Sequence, residues 1–182
     1  MAIATGLVYR MSLGQIFGVL WANVVRMRFA ALTIGTVVAL AYVMGDSGQT
    51  LALGMFVAGA GGLYAALAPI LGWIGTYVTG SDTSANILFS GLQSSVGHQI
   101  GPGSHLGVDG TRELLVGSNA AGGVVGKMIS PQSLTIAATS IGLAGSESVI
   151  LRKVFLWSLA LLALMCLLTL LMSTPVLSWL LP

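Results

Sequence analysis

The sequence predicts an all-α integral membrane protein, and three observations support this fold class: the composition, the spacing of the charges, and two polar islands between apolar runs. Hydrophobic residues make up 55% of the 182 positions and charged residues only 7%. A soluble domain carries about 25% charged residues, because its surface faces water. A chain with so few charges must expose most of its surface to apolar surroundings, so we expect membrane lipid to be its main partner.

The composition also argues against several classes of function. The net charge of +2 is too small for nucleic-acid binding, which depends on clustered basic side chains. The single cysteine, Cys166, excludes an intrachain disulfide and a cysteine metal cluster. His98 and His105 lack the spacing of metal ligands or of a catalytic triad. An intramembrane hydrolase therefore has no visible nucleophile and base, and we expect no enzyme activity, no cofactor and no metal.

The charges divide the first part of the chain into apolar segments. We expect residues 1–28 to hold the end of a membrane helix, whose beginning precedes this sequence, followed by an amphipathic helix at the membrane interface. Residues 29–68 are predicted to form two transmembrane helices, over Phe29–Gly45 and Thr50–Ala68. Small residues then repeat at every fourth position and predict a face for close helix packing. These small residues are Gly54, Ala58 and Gly62.

A charge-free run over residues 47–81 is too long for one crossing. As a helix it would span about 50 Å, whereas the hydrocarbon core of a bilayer is about 30 Å thick. Pro69 is the natural place for a break. We therefore predict a re-entrant hairpin over residues 69–97, made of two half-length helices that are joined by a polar tip at residues 79–86.

The second polar island interrupts a later apolar segment. Residues 97–112 contain both histidines and are expected to form an aqueous loop. Residues 113–143 are apolar at both ends and polar in the middle, where Pro131 lies, which is typical of a transmembrane helix that is broken in mid-membrane. A Leu-rich stretch over residues 150–174 predicts a C-terminal transmembrane helix.

The two islands are the candidate site, because polar groups at membrane depth are costly and are functional by default. Free backbone N–H groups at helix starts can replace the hydration shell of a small carboxylate. Lys127 would supply its countercharge, and Asp82 would carry a proton, since burial favours a neutral carboxyl group. The predicted substrate-binding residues are Ser81, Thr83, Ser84, Asn86, Asn119, Gly122, Gly123, Lys127, Ser130, Gln132 and Ser133. Two simpler alternatives stay open: Ser81 and Asp82 cap a helix in an aqueous loop, and Lys127 extends to the membrane surface.

Two long segments resemble a known family. The segments GWIGTYVTGSDTSANILFSGLQ (residues 72–93) and NAAGGVVGKMISPQS (residues 119–133) are similar to signature segments of the L-lactate permease family, and MRFAALTIGTVVALAYVM (residues 27–44) resembles the same family. The resemblance implies a multi-pass symporter of the bacterial inner membrane that moves lactate, or a related 2-hydroxymonocarboxylate, together with protons. It also implies two inverted repeats, each with a re-entrant hairpin and a broken helix, of which this chain would be the C-terminal one.

Members of that family are several times longer than this chain. In inverted-repeat transporters the site forms between the repeats. The partners that we expect are therefore a small hydroxy acid, a proton, and either the missing N-terminal repeat or a second chain. Two hypotheses follow: the chain represents part of a secondary transporter, or it is a truncated membrane fragment with no transport activity of its own.

Overall fold

The computed structural model describes residues 12–142 and 145–181, which are helical and contain no strand. This confirms the all-α class. The α-helices of the described residues are α1 (Leu13–Asp46), α2 (Gln49–Ala58), α3 (Tyr64–Thr79), α4 (Asp82–Ile100), α5 (Gly107–Lys127), α6 (Pro131–Ser140) and α7 (Glu147–Met172). Three short 3-10 helices cover Gly61–Leu63, Gly101–Gly103 and Ser178–Leu180.

The chain divides into two compact units, Met1–Val37 and Val38–Pro182. The membrane-helix end that we predict for the first eleven residues lies outside the described residues. The division near Arg28 into an interfacial helix and a separate membrane helix is wrong, because α1 is continuous from Leu13 to Asp46. The physical reason is plain: this stretch contains no proline, and isolated charges do not end a helix.

The predicted single helix over Thr50–Ala68 is also wrong. The helix α2 ends at Ala58, and the chain turns through a glycine-rich segment before α3 begins at Tyr64. Gly61 lies in that turn with φ of 58°, a left-handed conformation that only glycine adopts without strain. Pro69 therefore lies inside α3 and not at its start.

The predicted aqueous loop is shorter than expected. The helix α4 continues to Ile100 and α5 begins at Gly107, so only a short connection separates them. Gly54 belongs to the predicted small-residue face and is buried on α2. A Cβ added at Gly54 would lie 2.7 Å from the hydroxyl oxygen of Ser95. Gly62 has open space around it, so it takes no part in such a face.

Helices α3, α4 and α5 form the core of the second unit. The buried apolar residues of this core are Tyr64, Ala65, Ala68, Leu92, Val96 and Leu115. At three glycines a Cβ would overlap the backbone of the facing helix: Gly72 faces Asn119, Gly122 faces Pro69, and Gly126 faces Trp73. Close backbone contact of this kind is how small residues bring membrane helices together. It places the two polar islands side by side.

Two segments of the described residues are long and apolar enough to cross a membrane, namely Gly61–Thr79 and Glu147–Met172. The second coincides with α7 and exposes large apolar side chains, among them Leu156, Trp157 and Leu164. One polar contact holds α7 against the core: Trp73 Nε1 donates to Ser158 Oγ at 2.9 Å, and the Ser158 hydroxyl donates to the Val125 carbonyl at 3.3 Å. Thus α7 buries Ser158, Leu162 and Thr169, and most of its exposed surface after Lys153 is apolar.

Candidate functional site

Each polar island lies at a break between two helices, and each break has the same local chemistry. At the first break, Gly80 ends α3 with φ of 69°, and the Ser81 hydroxyl accepts the backbone N–H of Ser84 at 3.2 Å. At the second break, the Ser130 hydroxyl accepts the backbone N–H of Ser133 at 3.3 Å. A serine cap satisfies one of the free N–H groups that every helix start leaves. The capping alternative for Ser81 is therefore what the structure shows.

Lys127 joins the two breaks. Its ammonium group donates to the carbonyl oxygen of Gly80 and, at 2.9 Å, to Oε1 of Gln132. The side chain is half-buried and extends across to the first break. An ammonium group has three donors, so these two bonds leave one donor available to an anion.

Asp82 turns its carboxylate inward from the first turn of α4. Oδ2 accepts from Asn86 Nδ2 at 3.2 Å. Oδ1 is buried and has no hydrogen-bond partner among the described residues. It packs against Gly123, beside the hydroxyl of Thr76, which is likewise buried and unpaired within the described part of the chain. Both unpaired oxygens thus lie against Gly123, between α3, α4 and α5.

A chain of side-chain amides continues from Asp82 into the core. Asn119 Nδ2 donates to Asn86 Oδ1 at 2.9 Å, and Gln93 Nε2 donates to Asn119 Oδ1 at 3.3 Å. Gln93 Nε2 also donates to the carbonyl oxygen of Ala68 at 3.3 Å. Gln93 and Asn119 are completely buried. We call this set, from Ala68 through Gln93, Asn119 and Asn86 to Asp82, the amide chain.

The structure separates the predicted site residues into several groups. Ser81, Asp82, Asn86, Asn119, Lys127 and Gln132 lie at the breaks or in the amide chain. Ser130 and Ser133 bond to each other through their hydroxyls at 3.1 Å, and Ser84 is buried with its hydroxyl unpaired in the described residues. Thr83 is exposed. Gly122 and Gly123 have a packing role, because their Cα atoms are covered by Pro69 and by Asp82.

Three participants were not predicted from the sequence. Gly80 provides the carbonyl that binds Lys127, and Thr76 lies beside Asp82. Gln93 anchors the amide chain. A signal for Gln93 was present: it follows Asn86 by seven residues, two helical turns, so both amides lie on one face of α4.

A separate cleft lies at the other end of α5. It has a volume of about 430 Å³ and is lined by Ser94, Asp109, Arg112, Glu113 and Val116. Arg112 Nε donates to Ser94 Oγ at 3.0 Å and its guanidinium pairs with Asp109 at 3.5 Å. None of the predicted site residues lines this cleft. In the described residues, no three His, Cys, Asp or Glu side chains are grouped so that they could hold a metal ion.

Comparison with known proteins decides the family. The family model described as L-lactate permease matches residues 1–176. The chain belongs to the L-lactate permease family. The family assignment that the two signature segments suggested is therefore confirmed. Together with the two apolar spans, membership in this permease family indicates a membrane protein.

Curated relatives in this family include transporters from several bacteria. The L-lactate permease of Bacillus subtilis (strain 168) is 43% identical over 160 residues, which are 88% of this chain and 27% of the relative. The glycolate permease GlcA of Escherichia coli (strain K12) is 40% identical over 86% of this chain and 26% of the relative. The L-lactate permease of the same strain is 40% identical over 82% of this chain. The chain thus spans about a quarter of the length of these relatives. No solved structure gives a significant match.

Proposed function

We propose that the chain is the C-terminal part of a secondary transporter that carries lactate or a related 2-hydroxymonocarboxylate, such as glycolate, together with protons across the bacterial inner membrane. The relatives that match it are lactate and glycolate permeases. The single observation that carries the proposal is the contact of Lys127 with Gly80, which brings a cation, two helix starts and the carboxyl group of Asp82 to one place.

The substrate carboxylate binds where the two breaks meet. Lys127 offers its third donor there. The backbone N–H groups of Thr83 and Gln132 belong to the first turns of α4 and α6 and are left free by the serine caps. Helix starts carry partial positive charge and favour carboxylates. A cation and two helix starts therefore replace the hydration of a small anion.

The proton is carried by Asp82. A transporter that moves a monocarboxylate together with a proton needs a group that binds and releases that proton near the anion. Among the described residues, Asp82 is the carboxyl group at the first break, and its Oδ1 is buried without a hydrogen-bond partner in that part of the chain. Two negative charges in one site repel each other, so the proton and the substrate anion would be bound together at this place.

The membrane architecture follows the same proposal. Helices α3 and α4 form the proposed re-entrant hairpin with its tip at residues 80–81, although at 16 and 19 residues they are longer than the half-length helices predicted from the sequence. Helices α5 and α6 form the broken transmembrane helix. The remaining three quarters of the longer protein contain the inverted partner repeat, which completes the site. A second candidate, a fragment with no transport activity of its own, is favoured by the short length of the chain relative to its relatives.

One experiment tests the proposed transport function in two arms. The chain by itself, reconstituted into liposomes, is expected to take up no labelled lactate above empty vesicles, because half of the site is missing. The comparison is a fusion transporter, in which this chain replaces the segment that it matches in the Bacillus subtilis L-lactate permease. The fusion transporter is expected to accumulate lactate, and unlabelled glycolate should compete.

Three outcomes would count against the proposal. Robust uptake by the chain alone would mean that copies of the chain complete a site without a partner repeat. A fusion transporter that reaches the membrane in normal amounts but moves no lactate would contradict the proposed transport function. Competition by an amino acid or a sugar, and not by glycolate, would contradict the substrate class.

A further inference from the structure

The amide chain has one direction only, because its two ends are fixed. At one end stands the backbone carbonyl of Ala68, which can only accept a hydrogen bond. At the other end stands the carboxylate of Asp82, which also accepts when it is ionised. Between them lie three side-chain amides, each of which has one accepting oxygen and one donating nitrogen.

Within the amide chain, the orientation of each side-chain amide fixes the orientation of the next one. Gln93 must turn Nε2 toward Ala68, and the same nitrogen faces Asn119. Asn119 must therefore receive this donor on Oδ1, which leaves its Nδ2 for Asn86. Asn86 receives that donor on Oδ1 and points its own Nδ2 at Asp82. If any one amide were turned around, two donors or two acceptors would face each other in the buried core. The free-energy cost of that mismatch is larger than the stabilisation that one hydrogen bond provides.

The consequence concerns the two oxygens of Asp82. Oδ2 always meets an N–H donor, and the hydroxyl oxygen of a protonated carboxyl group is a poorer acceptor than its carbonyl oxygen. Oδ1 meets no donor among the described residues, and both it and the Thr76 hydroxyl lie against Gly123. We infer that Gln93 is a positioning residue: by fixing the direction of the amide chain, it makes Oδ1 of Asp82 the oxygen that binds the transported proton. This inference rests on the proposed proton coupling at Asp82.

Few charged groups face this carboxylate. From α5, Lys127 approaches the same turn, but in the described part of the chain its ammonium bonds to Gly80 and Gln132 and not to Asp82. Arg112 and Glu113 lie at the far end of α5, and His98 at the far end of α4. Helices α3 and α6 contain no Asp, Glu, Lys, Arg or His. The hydrogen bond from Asn86 and the nearby positive charge of Lys127 are therefore the main local influences on whether Asp82 holds a proton.

The test is to reverse the hydrogen-bond direction of the amide chain by changing Gln93, the residue that bonds to Ala68. In Gln93→Glu, the introduced carboxyl group donates its O–H to the carbonyl oxygen of Ala68 and accepts from Asn119 Nδ2. Asn119 then turns Oδ1 toward Asn86, and Asn86 turns its oxygen toward Asp82. That arrangement requires a proton on Oδ2, so the proton is held to higher pH. In the fusion transporter, the external pH at which initial lactate uptake falls to half should rise by about one pH unit or more.

Two further variants make this test decisive. Gln93→Met removes the anchor without adding charge, so the midpoint should rise in the same direction by a smaller amount. Gln99→Glu makes the same chemical change on the same helix but outside the amide chain, and its midpoint should match the parent. Gln99 is a fair control, because it lines a separate cleft together with His98 and Arg112.

The outcomes distinguish the inference from the proposed function. If both Gln93 variants exchange lactate at equal amounts of protein and keep the parent midpoint, or lower it, Gln93 does not position the proton. If Gln93→Glu fails to reach the membrane, Gln93→Met decides alone. If Asp82→Asn still concentrates lactate against a gradient, proton coupling at Asp82 itself is wrong. A rise in both Gln93 variants with Asp82→Asn uncoupled supports both statements.

Discussion

Replacing Gly122 by alanine is expected to destabilise the chain by about 3 kcal/mol or more, the upper range for a side chain forced into a packed core. The added Cβ would overlap the backbone carbonyl of Pro69, and a backbone atom cannot move aside as a flexible side chain can. Alanine gains only about 1 kcal/mol over glycine as a helix former. The steric overlap therefore dominates, and α3 and α5 must separate.

The matched control is Gly117→Ala on the same helix. No atom lies within 4 Å of the Cβ that this substitution adds, so it should be neutral or slightly stabilising. The measurement is the thermal unfolding midpoint of each purified variant in detergent, with the amount in the membrane as a second readout. Equal midpoints for the two variants would mean that α3 and α5 are not in backbone contact at Gly122.

Changing Asp82 to asparagine should abolish gradient-driven accumulation of lactate in the fusion transporter while leaving lactate exchange intact. An asparagine has nearly the same shape and keeps one oxygen that accepts from Asn86, so the site should stay assembled. It cannot bind and release a proton near neutral pH. Uphill uptake that depends on a pH gradient should therefore fall to the level of vesicles without a gradient.

The control for this change is Asp109→Asn. Asp109 is a carboxylate on α5 whose side chain is 88% exposed and pairs loosely with Arg112, so its loss should leave uptake unchanged. Exchange of internal for external labelled lactate shows that each variant is folded and binds substrate. If Asp82→Asn still concentrates lactate, Asp82 only stabilises the start of α4, and the proton is carried elsewhere.

The sequence indicated the helix breaks at the polar islands because the local chemistry there is strong. Gly80 and Ser81, and then Ser130 and Pro131, are residue types that end one helix and start the next, whatever surrounds them. The breaks in the first part of the chain were misplaced for the opposite reason. Two arginines suggested an end that α1 does not have, and the glycine-rich turn at residues 59–62 was overlooked in favour of Pro69.

The pairing of side chains across helices could not be read from the sequence. Asn119 meets Asn86, which lies 33 positions earlier in the chain, and only the packing of α5 on α3 and α4 brings them together. That packing depends on Gly72, Gly122 and Gly126, whose role is steric and leaves no chemical signature. Gly122 and Gly123 lie at close contacts between the helices, and their predicted role in substrate binding stays a prediction. Whether the hairpin of α3 and α4 re-enters the membrane stays a prediction.

Lys127, at the meeting of the two breaks, is proposed to bind the substrate carboxylate, and the saturation of lactate exchange tests this role. In the fusion transporter, Lys127→Gln should raise the half-saturating lactate concentration by roughly 10-fold or more, the loss expected for one charge-assisted hydrogen bond. Lys153→Gln removes a charge from the exposed surface of α7 and should leave that concentration unchanged. If Lys127→Gln saturates at the same lactate concentration as Lys153→Gln, the substrate carboxylate is bound elsewhere and the proposed site is wrong.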